Sequence, residues 1–167
     1  PKIIVYLNTN GGVLGSVITK TPTADITNMN IYANRVITRH QDVLPLTISD
    51  MTAYDYDNDT DISFTAATGS PNTLILRPNT ELFIFASTTF APGGNVTLQG
   101  NANSNGYEGT LQLGATSTFT AAGTETHTLA GRLVARPGAT FTAASSTFVF
   151  NATTSGKSIT ASSSLTF

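Results

Sequence analysis

GATFTAASSTF, residues 138–148, has a shorter echo in STFTAA at residues 117–122. Sliding the chain against itself sets Gly109 over Gly131, Leu111 over Leu133, and Thr118 to Ala122 over Thr140 to Ala144, all at an offset of 22. A constant offset shared by a Gly, a Leu and five consecutive residues is a repeat. Repeats of roughly 20 to 25 residues carrying two or three short strands mark solenoids, in which no copy buries its apolar face alone and stacking builds the core. The expected fold is therefore all-β, a parallel β-helix or β-solenoid over at least the C-terminal half, with Phe119 directly beneath Phe141. A β-sandwich is the alternative, since strands spaced 8 to 12 residues apart also suit that architecture.

Working outward, LILRPNTELFIFASTTF (74–90) matches LVARPGATFTAASSTF (133–148), with Arg77-Pro78 over Arg136-Pro137. LQLGATSTFTAA (111–122) is the middle copy. The Gly/Asn-rich insert GGNVTLQGNANSNGYEG (93–109) is expected on a loop. Towards the N-terminus, KIIVYL (2–7) and VLGSVIT (13–19) read as strands around an Asn/Gly turn, followed by ITNMNIY (26–32) and short strands at 34–39, 46–49 and 61–66. The chain thus divides into an N-terminal β-rich region with an acidic loop (1–70) and a repeat region (71–167).

Composition agrees. Thirty of the 167 residues are Thr, and β-branched side chains favour strands, so almost no helix is expected. There is no Cys, which excludes disulfides and thiolate chemistry. With 8 basic and 10 acidic residues and a net charge of -2, the chain carries no overall electrostatic footprint for nucleic acid or an anionic membrane. No apolar run reaches the roughly 18 residues of a spanning helix. Few Lys and Glu among many Thr, Ser and Asn point to an extracellular or cell-surface setting. Pro1 in place of Met reads as a processed or partial chain.

GKSITASSSLTF (156–167), with the preceding ATFTAASSTFVFNATTSG (139–156), resembles Thr/Ser/Gly-rich β-repeat surface proteins of uncultivated bacteria. The resemblance covers roughly the last 95 residues. It implies a parallel β-helix, a cell-surface setting, and a last coil at Phe167 that is continued by more chain or by a neighbouring subunit.

Four acids alternate in YDYDNDTDISF: Asp55, Asp57, Asp59 and Asp61. Like charges at this spacing repel unless a cation neutralises them, and calcium loops take ligands at first, third, fifth and seventh positions. Calcium is the candidate cofactor. However, Thr60 stands where such loops carry Gly, and no Glu follows at the twelfth position. In a strand the same four carboxylates would line one solvated face.

Catalysis finds little support. His40 and His127 are far apart, and His127, within Thr126-His127-Thr128, is expected to face outward. No Asp follows residue 61, and Glu125 is the only acid beyond Glu108. Arg35 and Arg39 near Asp50 to Asp61 are the best lyase-like grouping. The expected function is a non-enzymatic extracellular structural protein, a cell-surface module or filament subunit that pairs with copies of itself through uncapped terminal strands. A glycan-binding adhesin module, with Tyr32, Tyr54 or Tyr107 as stacking platforms, is the alternative.

Overall fold

A computed structural model describes residues 2–8, 14–21, 23, 25–40, 44–52, 63–100 and 108–167. Thr118, Phe119 and Thr120 lie beside Thr140, Phe141 and Thr142 in a parallel ladder, and Leu111 beside Leu133 in another. The 22-residue offset is thus a strand register. In chain order the elements are β1 (Lys2–Asn8), β2 (Leu14–Lys20), β3 (Arg35–His40), the short helix α1 (Ile48–Met51), β4 (Phe64–Ala67), β5 (Asn72–Leu76), β6 (Glu81–Ile84), β7 (Thr89–Phe90) and β8 (Gly94–Leu98). There follow β9 (Leu111–Leu113), β10 (Thr118–Thr120), β11 (Thr126–Leu129), β12 (Leu133–Ala135), β13 (Thr140–Thr142), β14 (Thr147–Phe150), β15 (Ile159–Ala161) and β16 (Leu165–Thr166).

These strands form three sheets, ordered β1-β2-β3-β6-β9-β12-β15, β7-β10-β13-β16 and β4-β5-β8-β11-β14. From β5 onward the chain visits the third, first and second sheets in unbroken rotation. Among the described residues only β1–β2 and β4–β5 pair antiparallel.

Side chains alternate across each strand, so one residue in two points inward and meets its counterpart from the next layer. Leu82, Leu111 and Leu133 stack in the first sheet and Ile84, Leu113 and Ala135 beside them, all at 1% exposure or less. Phe90, Phe119 and Phe141 form a ladder in the second, with centroids 6.1 and 5.4 Å apart. Leu74, Val96, Leu76, Leu98 and Leu129 come from the third. One apolar cluster runs from Ile18 to Ala143, and each fully buried Leu or Phe contributes about 1.5 to 3 kcal/mol.

Corners are made by residues with left-handed backbone, among them Asn79, Ser87, Thr116, Gly138 and Ala144. At Gly131 the requirement is space: a β-carbon there would run into the Glu108 carbonyl, and the Gly131 N–H donates to Gly109 O at 3.0 Å. This contact explains why the repeat aligns glycine with glycine.

Several sequence expectations need correction. Residues 74–90 and 133–148 are not in register: Leu74 lies in the third sheet and Leu133 in the first, where Leu82 and Leu111 occupy its row. Both segments read strand, Arg-Pro corner, strand, and that signal does not say which corner it turns. The insert at 93–109 contains β8, while 101–107 lie outside the described residues. Residues 46–49 give a bridge at Leu46 and then α1 rather than a strand. Residues 26–32 are not a strand either. Arg39 Nη1 and Nη2 donate to the carbonyls of Asn28 and Thr27 at 2.8 and 3.0 Å, and a β-carbon on Gly15 would strike the Tyr32 carbonyl. The segment therefore lies over the outer face of β2 and β3, where Val17 and Ile37 are buried as well as their inward neighbours.

Candidate functional site

The two ends of the stack differ. At the N-terminal end Leu46 pairs with β7, its N–H donating to Thr89 O at 3.0 Å and its carbonyl accepting from Ala91 N at 2.9 Å. Thr47 then opens α1 with a reciprocal capping box: its hydroxyl accepts from Asp50 N, and Asp50 Oδ2 accepts from Thr47 N. That short turn drives Ile48 and Met51 into the core, where both are fully buried. Lys2 Nζ and Lys20 Nζ close on Asp50 at 2.8 and 2.6 Å. Burial alone would push the Asp50 carboxyl up, but the hydrogen bonds from Lys2, Lys20 and Thr47 hold it at about 2. Residues 46–51, brought to that end by folding, thus cover the core beside β7. β1 nevertheless remains an edge strand, with Ile3, Val5 and Tyr6 exposed.

The C-terminal end carries the opposite pattern. β14, β15 and β16 are the last strands of the three sheets. Each continues an apolar row: Leu98, Leu129, Phe150 in one sheet, Leu111, Leu133, Ile159 in another, and Phe119, Phe141, Leu165 in the third. The preceding members are buried, whereas Phe150 is 42% and Ile159 51% exposed. Phe167, 5.2 Å from Phe141 between centroids, is 61% exposed. Gly131, Phe150, Ala152, Lys157, Ser158 and Ile159 line a largely apolar concavity of about 360 Å³. Lys157 is spent on the buried Glu108 at 3.0 Å, so this face carries no exposed charge of its own from that pair.

Behind this edge lies His127, fully buried rather than outward-facing. Leu129, two positions on, has the same parity and also points inward, and this was the signal in the sequence that favoured burial. The imidazole packs on Phe148 and Phe119 with centroids 4.6 and 5.4 Å away, and neither ring nitrogen has a protein hydrogen-bond partner among the described residues. Burial lowers its pKa to about 4, with the Glu125 carboxylate only partly opposing. Glu125 itself accepts from the backbone N–H of Ala122, Gly123 and Thr124 and from Ser146 Oγ at 2.6 Å. Burial opposes its ionisation, yet these donors hold the carboxyl at about 2. It acts as a corner clasp.

The other candidates are not brought together. Asp55, Asp57, Asp59 and Asp61, with Tyr54 and Tyr107, lie outside the described residues. Among the described residues no group of three or more His, Cys, Asp or Glu is placed to hold a metal. Arg35 and Arg39 do not meet Asp50: Arg39 holds the 25–34 segment on the outer face, while Asp50 is engaged by lysines at the N-terminal cap. His40 Nε2 accepts from Thr89 N at 2.8 Å, a link between the first and second sheets. No family model, curated protein or solved structure matches the chain.

Proposed function

We propose that the chain is a non-enzymatic structural module, a parallel β-helix whose successive coils each supply one strand to each of three sheets, and that it associates with a second copy through terminal strands. The observation that carries this reading is the continuity of the inward rows: Leu82, Leu111 and Leu133 stack in one sheet and Phe90, Phe119 and Phe141 in another, and Phe150, Ile159 and Leu165 extend the rows to an edge that a further layer of strands, from this chain or from a second copy, would cover. An edge of this kind presents unpaired backbone N–H and C=O groups beside apolar side chains, and natural proteins otherwise blunt such edges with charge, Pro or a covering element. A second copy would supply that layer through β1, an edge strand with Ile3, Val5 and Tyr6 exposed, in a head-to-tail array. A Thr/Ser-rich surface with few charges suits an extracellular stalk or filament whose subunits do not repel one another.

Sedimentation of the purified chain over a wide concentration range tests this. The parent protein associates with rising concentration, and a Phe150→Lys, Ile159→Lys double variant stays monomeric because two ammonium groups cannot enter an apolar interface. Removing residues 2–8 stops growth beyond a dimer if β1 is the partner strand. A parent chain that remains monomeric at the highest concentration reached overturns self-association.

A further inference from the structure

The outer face of the first sheet is as distinctive as its edge. On β6 the residues alternating with buried Leu82 and Ile84 are Glu81, Phe83 and then Phe85, and Phe85 is 40% exposed. Phe83 and Phe85 meet edge to face at 6.2 Å. The Arg35 guanidinium lies 5.6 Å from the Tyr32 ring centroid and 5.5 Å from that of Phe83, and Arg39 lies 5.3 Å from that of Phe85. The result is a ladder of alternating cations and rings, each of the three rings within cation–π range of a guanidinium.

The register extends this ladder sideways. Thr38, Ile84, Leu113 and Ala135 are partners across β3, β6, β9 and β12, so the next position on each strand makes a row of Arg39, Phe85, Gly114 and Arg136. That row spans three strand spacings, about 14 Å. Gly114 interrupts it with bare backbone, because a β-carbon there would collide with the Ala86 N–H group and the Ile84 carbonyl. No side chain stands between the exposed Phe85 ring and the exposed Arg136 in this row.

Three of the five arginines gather here, and among the described residues the acids beside them are Glu81 and, on the segment laid over β2 and β3, the exposed Asp25. Glu81 is buried beside Arg35 at 3.4 Å; burial pushes its carboxyl up against the opposing influence of Arg35 and Arg136. Arg136 is exposed and, among the described residues, forms no salt bridge. Arg39 is engaged by the Asn28 and Thr27 carbonyls and Arg35 by Glu81, which leaves Arg136 as the exposed cation of the row.

From this charge complementarity and the exposed rings, we propose that the outer face of the first sheet around Phe83, Phe85, Gly114 and Arg136 binds an acidic polysaccharide. A pyranose ring has an apolar C–H face that packs on a flat aromatic, and a carboxylate at its rim meets a guanidinium in two parallel hydrogen bonds. The centre of a sheet offers no free main-chain groups, so an acidic peptide could not add there as a strand and would lose the hydrogen bonds that usually drive such recognition. A saccharide laid across the strands needs none of them. This inference does not depend on self-association.

Titration calorimetry with polygalacturonate as the probe tests it, with methyl-esterified polygalacturonate, poly-glutamate and dextran as comparisons. The expected result is binding of polygalacturonate that weakens with added salt. Phe85→Ala and Arg136→Gln should each weaken it about tenfold or more, at a melting temperature close to the parent's. Absence of binding overturns the proposal, as does equal binding of the methyl ester, which removes the carboxylates. Undiminished affinity in both variants places the site elsewhere. Equal affinity for poly-glutamate assigns the face to acidic polymers in general and overturns the saccharide.

Discussion

Phe119→Ala is expected to cost about 3 to 5 kcal/mol, enough to lower the melting temperature on the order of 10 °C in a chain of this size. Phe119 is fully buried and touches Phe90 below it, Phe141 above it, and His127 and Phe148 across the core. Truncation leaves a cavity bounded by two layers of the second sheet and one face of the third, and the parallel ladders on both sides prevent those layers from closing on it. Phe150→Ala provides the contrast. That ring belongs to an equivalent inward row but is 42% exposed, so its loss should cost about 1 kcal/mol or less. Denaturant titration of both variants checks the difference. If the two lose the same stability, the stacked rings do not share a continuous core.

Acid should weaken the fold before its carboxylates titrate. His127 has a folded pKa of about 4 against an ordinary value of 6.5, so the folded state takes up its proton later than the unfolded chain does. Its contribution is present in full above pH 6.5 and is lost as pH falls from 6.5 through 4, a difference on the order of 3 kcal/mol. Asp50 and Glu125, both held at about 2, lose their contributions in a lower window, below their ordinary values of 3.8 and 4.5. Glu81 runs the other way: burial raises its pKa, so the cost of its ionisation is relieved as pH falls through that raised value. Comparing the parent with His127→Phe removes these shared terms. Phe keeps a flat ring between Phe119 and Phe148 and has no nitrogen to satisfy or protonate. The variant should match or exceed the parent at pH 7 and lead it by on the order of 3 kcal/mol at pH 4, measured by denaturant unfolding. Parallel stability curves for the two proteins would sink the assignment.

The charge and ring placements behind these predictions were only partly readable in advance. Offset and alternation together place Leu111 on Leu133 and Phe119 on Phe141, because a parallel ladder with inward and outward faces must repeat residue types at the coil length. Those signals are local. The Arg-Pro corner at 77–78 looks the same as that at 136–137, so similarity alone aligned strands that belong to different sheets. His127 sits between two threonines that give no preference for either face, and its parity with Leu129 was the only local guide.

The amino-acid sequence by itself determined the β character, the repeat and the rows of the core, since propensity, turn residues and period act over a few positions at a time. The tertiary structure alone decided three things. It brought residues 46–51 to one end of the core, set Phe150 and Ile159 in line with the buried rows, and gathered Arg35 and Arg39 against Phe83 and Phe85 in the same sheet as Arg136. Arg39 and Arg136 stand at the two ends of one row across four strands while nearly a hundred residues apart in the chain. No local pattern encodes that separation, because the strands that stand between them in the row, β6 and β9, are joined through segments belonging to the other two sheets, and the lengths of those segments vary.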